Sequence, residues 1–280
     1  MAYPVVSAPY GLKPINLIGG QVFAGSTREL PIQYGYGTSI FYGDFVVLSR
    51  GFATRASVST GTGVNQITGV FLGCSFTNPL TKQKTFSQYW PASTLAGDAR
   101  AIVCDDPDTV FKAVVTSSGT TVASGALSLI GTNLSLVNNT GNSNTGDSAN
   151  AVLAPTATPV TSILPVRCVG VVTDTAVTGS ATGSSSSTTI TLTGSGAPFA
   201  LPIGTDVAYL AANGQLIQTG SFVTAAASAG ATSVTINAQP NVLGSGTDIG
   251  SSSTIVFTQY PEILVKVNLL VHGYYSSATA

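Results

Sequence analysis

Between Leu30 and Phe76 the chain alternates short apolar runs with glycine-bearing breaks, at a spacing too close for helices. Ile40, Tyr42 and Phe45-Val46-Val47-Leu48 are strand formers, Gly43-Asp44 and Arg50-Gly51 punctuate them as turns, and Val70-Phe71-Leu72 supplies another short run. Short strands divided by Gly-rich turns predict an all-β fold with a barrel or sandwich core.

The same grammar continues downstream. Strands are expected at Ala99–Cys104, Val110–Val115 and Ile163–Val172. Ala126–Val137 is expected to form a hairpin, and the Asn138–Asn150 run, NNTGNSNTGDSAN, an exposed loop tip. Glu262–Tyr275 is expected to be one long strand of the core sheet, with Ile263, Val265 and Val267 on one face and Leu264, Lys266 and Asn268 on the other. Residues 173–258 contain no Lys or Arg and alternate at Thr188–Thr193 and Ser233–Asn237. They are expected to be an inserted Ser/Thr-rich β domain, within a core domain formed by 30–172 plus 259–280.

Residues 1–29 carry Pro4, Pro9 and Pro14, which forbid a regular helix and favour extended backbone. Tyr10, Leu12, Ile15, Leu17, Ile18, Val22 and Phe23 make this segment too apolar for a solvated tail. It is therefore expected to be an extended arm lying on its own domain or on a neighbour, and those seven residues are the candidate protein-interface set.

Only 8 % of the residues are charged, against about 25 % in an average soluble domain, so the polar surface must be built from Ser, Thr, Asn and Gln. Such a surface repels weakly and packs readily against copies of itself, which favours an assembly. Eight of the ten basic residues lie in the first 112, beside six acids. That balance lacks the clustered basic face nucleic acid requires, so nucleic acid is excluded as a direct partner. No run reaches the roughly 18 apolar residues of a membrane helix, so no membrane partner is expected. No secretory signal is visible, which predicts synthesis in a cytoplasm without export by a signal of its own.

The residues that could carry chemistry are few. Cys74, Cys104 and Cys168 sit in or beside apolar runs, without disulfide or zinc spacing, and are expected to be buried thiols acting as small apolar residues. His272 is the sole histidine and has no nearby Ser, Cys or carboxylate pattern of a triad. Asp105-Asp106-Pro107-Asp108 clusters carboxylates that calcium would accept, yet it lacks the spaced acids and glycine of a calcium loop and fits an Asp-Pro turn. Phe86, Tyr89 and Trp90 can be an interface anchor or a hydrophobic plug under a loop. The expectation is a protein that is not an enzyme, with no catalytic residue, metal or cofactor.

The order YGLKPINLIGGQVFAGSTRELPI, FYGDFVVL, ITGVFLGCSF, FSQYWP, GDARAIVCDDPDTVFKAVV and a closing EILVKVN resembles structural proteins of tailed bacteriophages, especially marine and cyanobacterial ones, encoded near the major capsid protein. These are identified as head decoration, or cement, proteins. The resemblance covers about residues 9–116 and 160–172 plus the C-terminal strand, and FYGDFVVL…GVFLG is also similar to the small barrel of lambda-type decoration proteins. It implies a homotrimer on the outer capsid surface of the virion, made in the host cytoplasm, with the major capsid protein and its own copies as partners and no catalytic residues. The other class is a head-fibre or tail receptor-binding protein recognising host glycan through 173–258. A cement protein is abundant on the particle, whereas a receptor binder is scarce.

Overall fold

In the computed structural model the described residues are 6, 8–18, 20–56, 67–118, 121–122, 129–154, 164–172, 179–186, 188–201, 203–210, 216–237, 253–257, 260–269 and 272–273. The fold is all-β, with barrel and half-barrel sheets and almost no helix. The chain divides into two compact units: a main unit of Pro9–Val114, Gly131–Gly170 and Ile263–Ala280, and a second unit of Met1–Ala8, Val115–Ile130 and Val171–Glu262.

One sheet of the main unit contains β2 (Arg28–Pro31), β3 (Phe45–Ser49), β4 (Phe52–Arg55), β5 (Gly69–Thr77), β6 (Lys84–Ser87) and β7 (Arg100–Cys104). Its order is β2-β7-β5-β3-β4, with β6 also on β5, and the pairings are antiparallel. Ser49 pairs with Phe52, leaving Arg50 (φ 51) and Gly51 (φ 85) as a two-residue turn. Two positive φ angles make the tight hairpin turn whose twist matches the flanking strands. The apolar faces converge on Ile40, Val46, Phe71, Phe76, Trp90 and Val103, all buried. Trp90 lies edge-on to Phe76 at 5.3 Å and donates its indole N–H to the Tyr36 carbonyl at 3.4 Å. It is therefore a core plug, not an interface anchor.

The other sheet of the main unit is built on β1 (Lys13–Leu17), β8 (Thr109–Ser118), β10 (Asn133–Val137), β11 (Ala151–Leu153), β12 (Val166–Val171) and β19 (Glu262–Val267), in the order β1-β8-β11-β10-β12-β19. A further pairing of β8 with β19 closes five of these strands into a barrel. Ile263, Val265 and Val267 are buried while Leu264 and Lys266 are half-buried, the alternation expected of a strand with one face in a core.

Two expectations need correction here, and a third in part. The C-terminal strand stops at Val267; Asn268 donates its backbone N–H to Pro165 O, and His272 bridges Ile67 in parallel register. Residues 270–271 and 274–275 lie outside the described residues. The strand β10 finds its antiparallel partner in β11, downstream, rather than in the 126–132 region, whose residues 126–128 lie outside the described residues. The Asn138–Asn150 run is consequently the β10–β11 connection; its tip, residues 142–145, is exposed as expected, whereas its return limb is folded inwards, with Ser148 and Asn150 buried and Asp147 bridging Tyr42. Its polar side chains have a buried carboxylate to satisfy, described below.

The second unit contains β9 (Thr121–Val122), antiparallel to the end of β8, and a six-stranded antiparallel sheet. That sheet runs β16 (Leu216–Phe222), β15 (Asp206–Leu210), β18 (Ser253–Phe257), β13 (Gly179–Ser186), β14 (Thr189–Leu192), β17 (Ser233–Thr235). Its two outer strands meet just past their ends: Thr224 donates to Thr235 O at 2.9 Å and Asn237 to Phe222 O at 3.0 Å around the Val223–Ile236 bridge. The sheet thus closes on itself, removing edges that would otherwise template pairing with other chains. Ile190, Leu192, Val207, Val234, Ile255 and Phe257 fill the interior.

Candidate functional site

The segment read as an arm is partly built into the main unit. Lys13 pairs with Lys112 and Leu17 with Thr109 in the β1–β8 ladder, and Leu12 is fully buried, its N–H donated to Gly43 O at 3.0 Å. Leu12 is thus core and has no surface to offer a neighbour. Tyr10 is half-buried with the Lys13 ammonium 4.7 Å from its ring centroid, a cation–π contact. Leu17 and Phe23 are half-buried, whereas Ile15, Ile18 and Val22 are exposed, Val22 to 80 %. No local pattern separates these, because β1 pairs with a strand some hundred residues away in the chain.

The most concentrated chemistry in the main unit surrounds Asp44. The turn at Gly43 (φ +94) brings the chain against Leu12, whose backbone N would lie 3.0 Å from a Cβ at that position. Asp44 is then fully buried. Its Oδ1 accepts from Ser148 Oγ at 2.6 Å and Asn150 Nδ2 at 2.8 Å; its Oδ2 accepts from the Phe41 N–H at 3.0 Å. Arg55 Nε lies 2.9 Å from Oδ2, at an angle too oblique for a hydrogen bond, so that contact is coulombic. Arg55 Nη2 donates to Asn139 O at 2.7 Å and Asn150 Oδ1 at 3.1 Å. Burial pushes the Asp44 carboxyl upward, opposed by the Arg55 charge and by the hydrogen bonds of Ser148 and Phe41. With three donors and the Arg55 charge around it, the fully buried carboxylate clamps the 139–150 connection to the β3–β4 sheet.

The Asp105–Asp108 run is a turn whose carboxylates serve different partners. Asp105 pairs with Arg28 at 2.9 Å, Asp106 Oδ1 accepts the Asp108 N–H at 2.8 Å, and Asp108 pairs with Lys266 Nζ at 2.6 Å. His272 is buried with Nε2 3.1 Å from Asp105 O. A carbonyl only accepts, so Nε2 carries the proton. Burial lowers the His272 pKa, offset in part by that carbonyl bond and by the charges of Asp105 and Asp106. Among the described residues no cluster of three or more His, Cys, Asp or Glu could hold a metal ion. All three cysteines are free and buried, and burial pushes their thiols up, Cys74 to about 12. As neutral thiols they are poor nucleophiles.

A surface groove of ≈ 450 Å³ lies on the β12–β19 face of the main unit, lined among others by Ile18, Arg167, Val169, Lys266, Val267 and Leu269. Arg167 and Val169 occupy the two exposed positions of β12, alternating with the buried Val166 and Cys168. Phe86, exposed to 77 %, stands instead on β6, at a shallower depression with Tyr42 and Gly73.

No family model, curated protein or solved structure matches this chain.

Proposed function

We propose that the chain is a virion structural protein of a tailed bacteriophage, a decoration or cement protein that binds the outer surface of the capsid and stabilises it as a homotrimer, with the major capsid protein as partner. The observation that carries the reading is where the phage-like segments fall. Residues 9–116, 160–172 and the closing strand, on which the resemblance rests, map almost entirely onto the segments of one compact unit, Pro9–Val114, Gly131–Gly170 and Ile263–Ala280. The unmatched 173–258 falls in the other unit.

The chemistry of the main unit supports a structural role. Asp44, His272 and the three cysteines are each buried and used in packing or internal hydrogen bonding. Three exposed aliphatic residues, Ile18, Val169 and Leu269, by contrast line one surface groove. Co-sedimentation of the purified chain with phage heads lacking it tests the proposal: saturable binding that raises the temperature of head disruption is expected. Heads that neither bind the chain nor gain stability from it would sink the reading.

A further inference from the structure

We infer that the β12–β19 groove is the docking surface of the main unit, and that its occupant is an aliphatic and acidic segment of the capsid shell; this rests on the decoration reading above. Two observations specify that occupant. The first is shape and polarity. Ile18, Val169 and Leu269 are 49 %, 37 % and 46 % exposed around a floor formed by the buried Val267, so three unpartnered aliphatic walls meet in one concavity. At ≈ 450 Å³ the groove falls in the size range of about 300–1,000 Å³ typical of sites that bury a ligand.

The second observation is charge. Beyond Lys112 the chain has two basic residues, Arg167 and Lys266, and both line this groove although 99 positions separate them. Lys266 is held by Asp108, whereas Arg167 is exposed and, among the described residues, has no ion-pair partner. An unpaired guanidinium beside aliphatic walls matches a carboxylate flanked by aliphatic side chains, since the planar fork binds carboxylates bidentately. Arginine at an apolar patch is also the composition that marks interface cores. An acidic shell segment is drawn in by Arg167 and held by Ile18, Val169 and Leu269.

The test measures head binding by the wild-type chain and by Arg167→Glu, Val169→Asp and Leu48→Asp. Leu48, 44 % exposed on β3 and outside the groove, controls for adding a carboxylate to an exposed aliphatic position. Arg167→Glu and Val169→Asp should each weaken binding about tenfold or more, with Leu48→Asp unchanged. Wild-type affinity should fall with added salt, and that dependence should be blunted in Arg167→Glu. Arg167 is solvent-facing, so its variant carries the test should Val169→Asp fold poorly. Wild-type binding that Arg167→Glu leaves unchanged overturns the groove and spares the decoration reading. A wild-type chain that ignores heads overturns both. If Val169→Asp instead dissociates the free chain's oligomer in sedimentation, the groove joins copies of this protein and the inference is wrong.

Discussion

Replacing Arg55 by Ala should be costly for the main unit. It leaves Asp44 fully buried with hydrogen bonds from Ser148, Asn150 and Phe41 but without its one opposing charge, and strips a donor from Asn139 O and Asn150 Oδ1. Removing one partner of a buried pair costs about 3–5 kcal/mol. The three surviving hydrogen bonds put this case near the lower end, about 3 kcal/mol at neutral pH. The cost should depend on pH. Asp44 already has a folded pKa raised by burial, and losing Arg55 raises it further. A raised folded pKa means that the native state binds more protons than the unfolded one, so the variant regains stability as pH falls through that pKa. The gap from wild type is thus widest near pH 8 and narrowest near pH 4. Urea unfolding followed by tryptophan emission reads it directly, since Trp90 is the only tryptophan, is fully buried and reports the main unit. A loss below about 1 kcal/mol at pH 8, or a gap that widens toward acid, would refute the argument.

Other outcomes follow from the same structure. A thiol reagent should label none of the three cysteines in the native protein and all three in denaturant, because burial keeps each thiol protonated. Protonating His272 opposes folding, since its folded pKa is lowered; wild-type stability should therefore decline as pH falls below about 6.5, and His272→Gln should flatten that part of the profile. Deleting residues 1–24 removes β1 and the buried Leu12, so the main unit should lose at least the 2–5 kcal/mol typical of a buried leucine and melt markedly earlier; an unchanged melt would show β1 to be dispensable. Replacing 173–259 with a short Gly/Ser linker should leave the Trp90 core folded, because the Val172 N–H already lies 3.1 Å from Glu262 O and the cut ends are adjacent. Exposed tryptophan emission in that variant would show that the second unit is needed for the core.

What the sequence made legible was local. The turn after Ser49 follows from Gly51, which takes positive φ freely, although Arg50 before it adopts one as well, and the buried face of β19 follows from the period-two alternation of Ile263, Val265 and Val267. The all-β class needed little more than such turns between short apolar runs. Long-range pairings stayed hidden. Asn150 reaches Asp44 across 106 positions, and nothing in an Asn/Ser/Gly-rich run says which residues form its exposed tip and which are drawn in to satisfy a buried carboxylate. An isolated acid in a run of strand formers was the available clue: Asp44 directly precedes the apolar Phe45–Leu48, where an unpaired charge would be costly. The seven apolar residues near the N-terminus likewise split between core and surface according to a strand partner that no local pattern names. The groove was equally invisible, since Arg167 and Lys266 become neighbours of one cavity through the folding of β12 and β19.

A protein that coats a capsid must be abundant on the particle, so its copy number there is the decisive measurement. Quantitative mass spectrometry of purified virions would give the molar ratio of this chain to the major capsid protein. A ratio within about an order of magnitude of one is expected, as repeated decoration of a shell requires. A ratio of a few copies per particle would contradict it and point to a fibre or tail position, and absence from the virion would remove the structural role altogether.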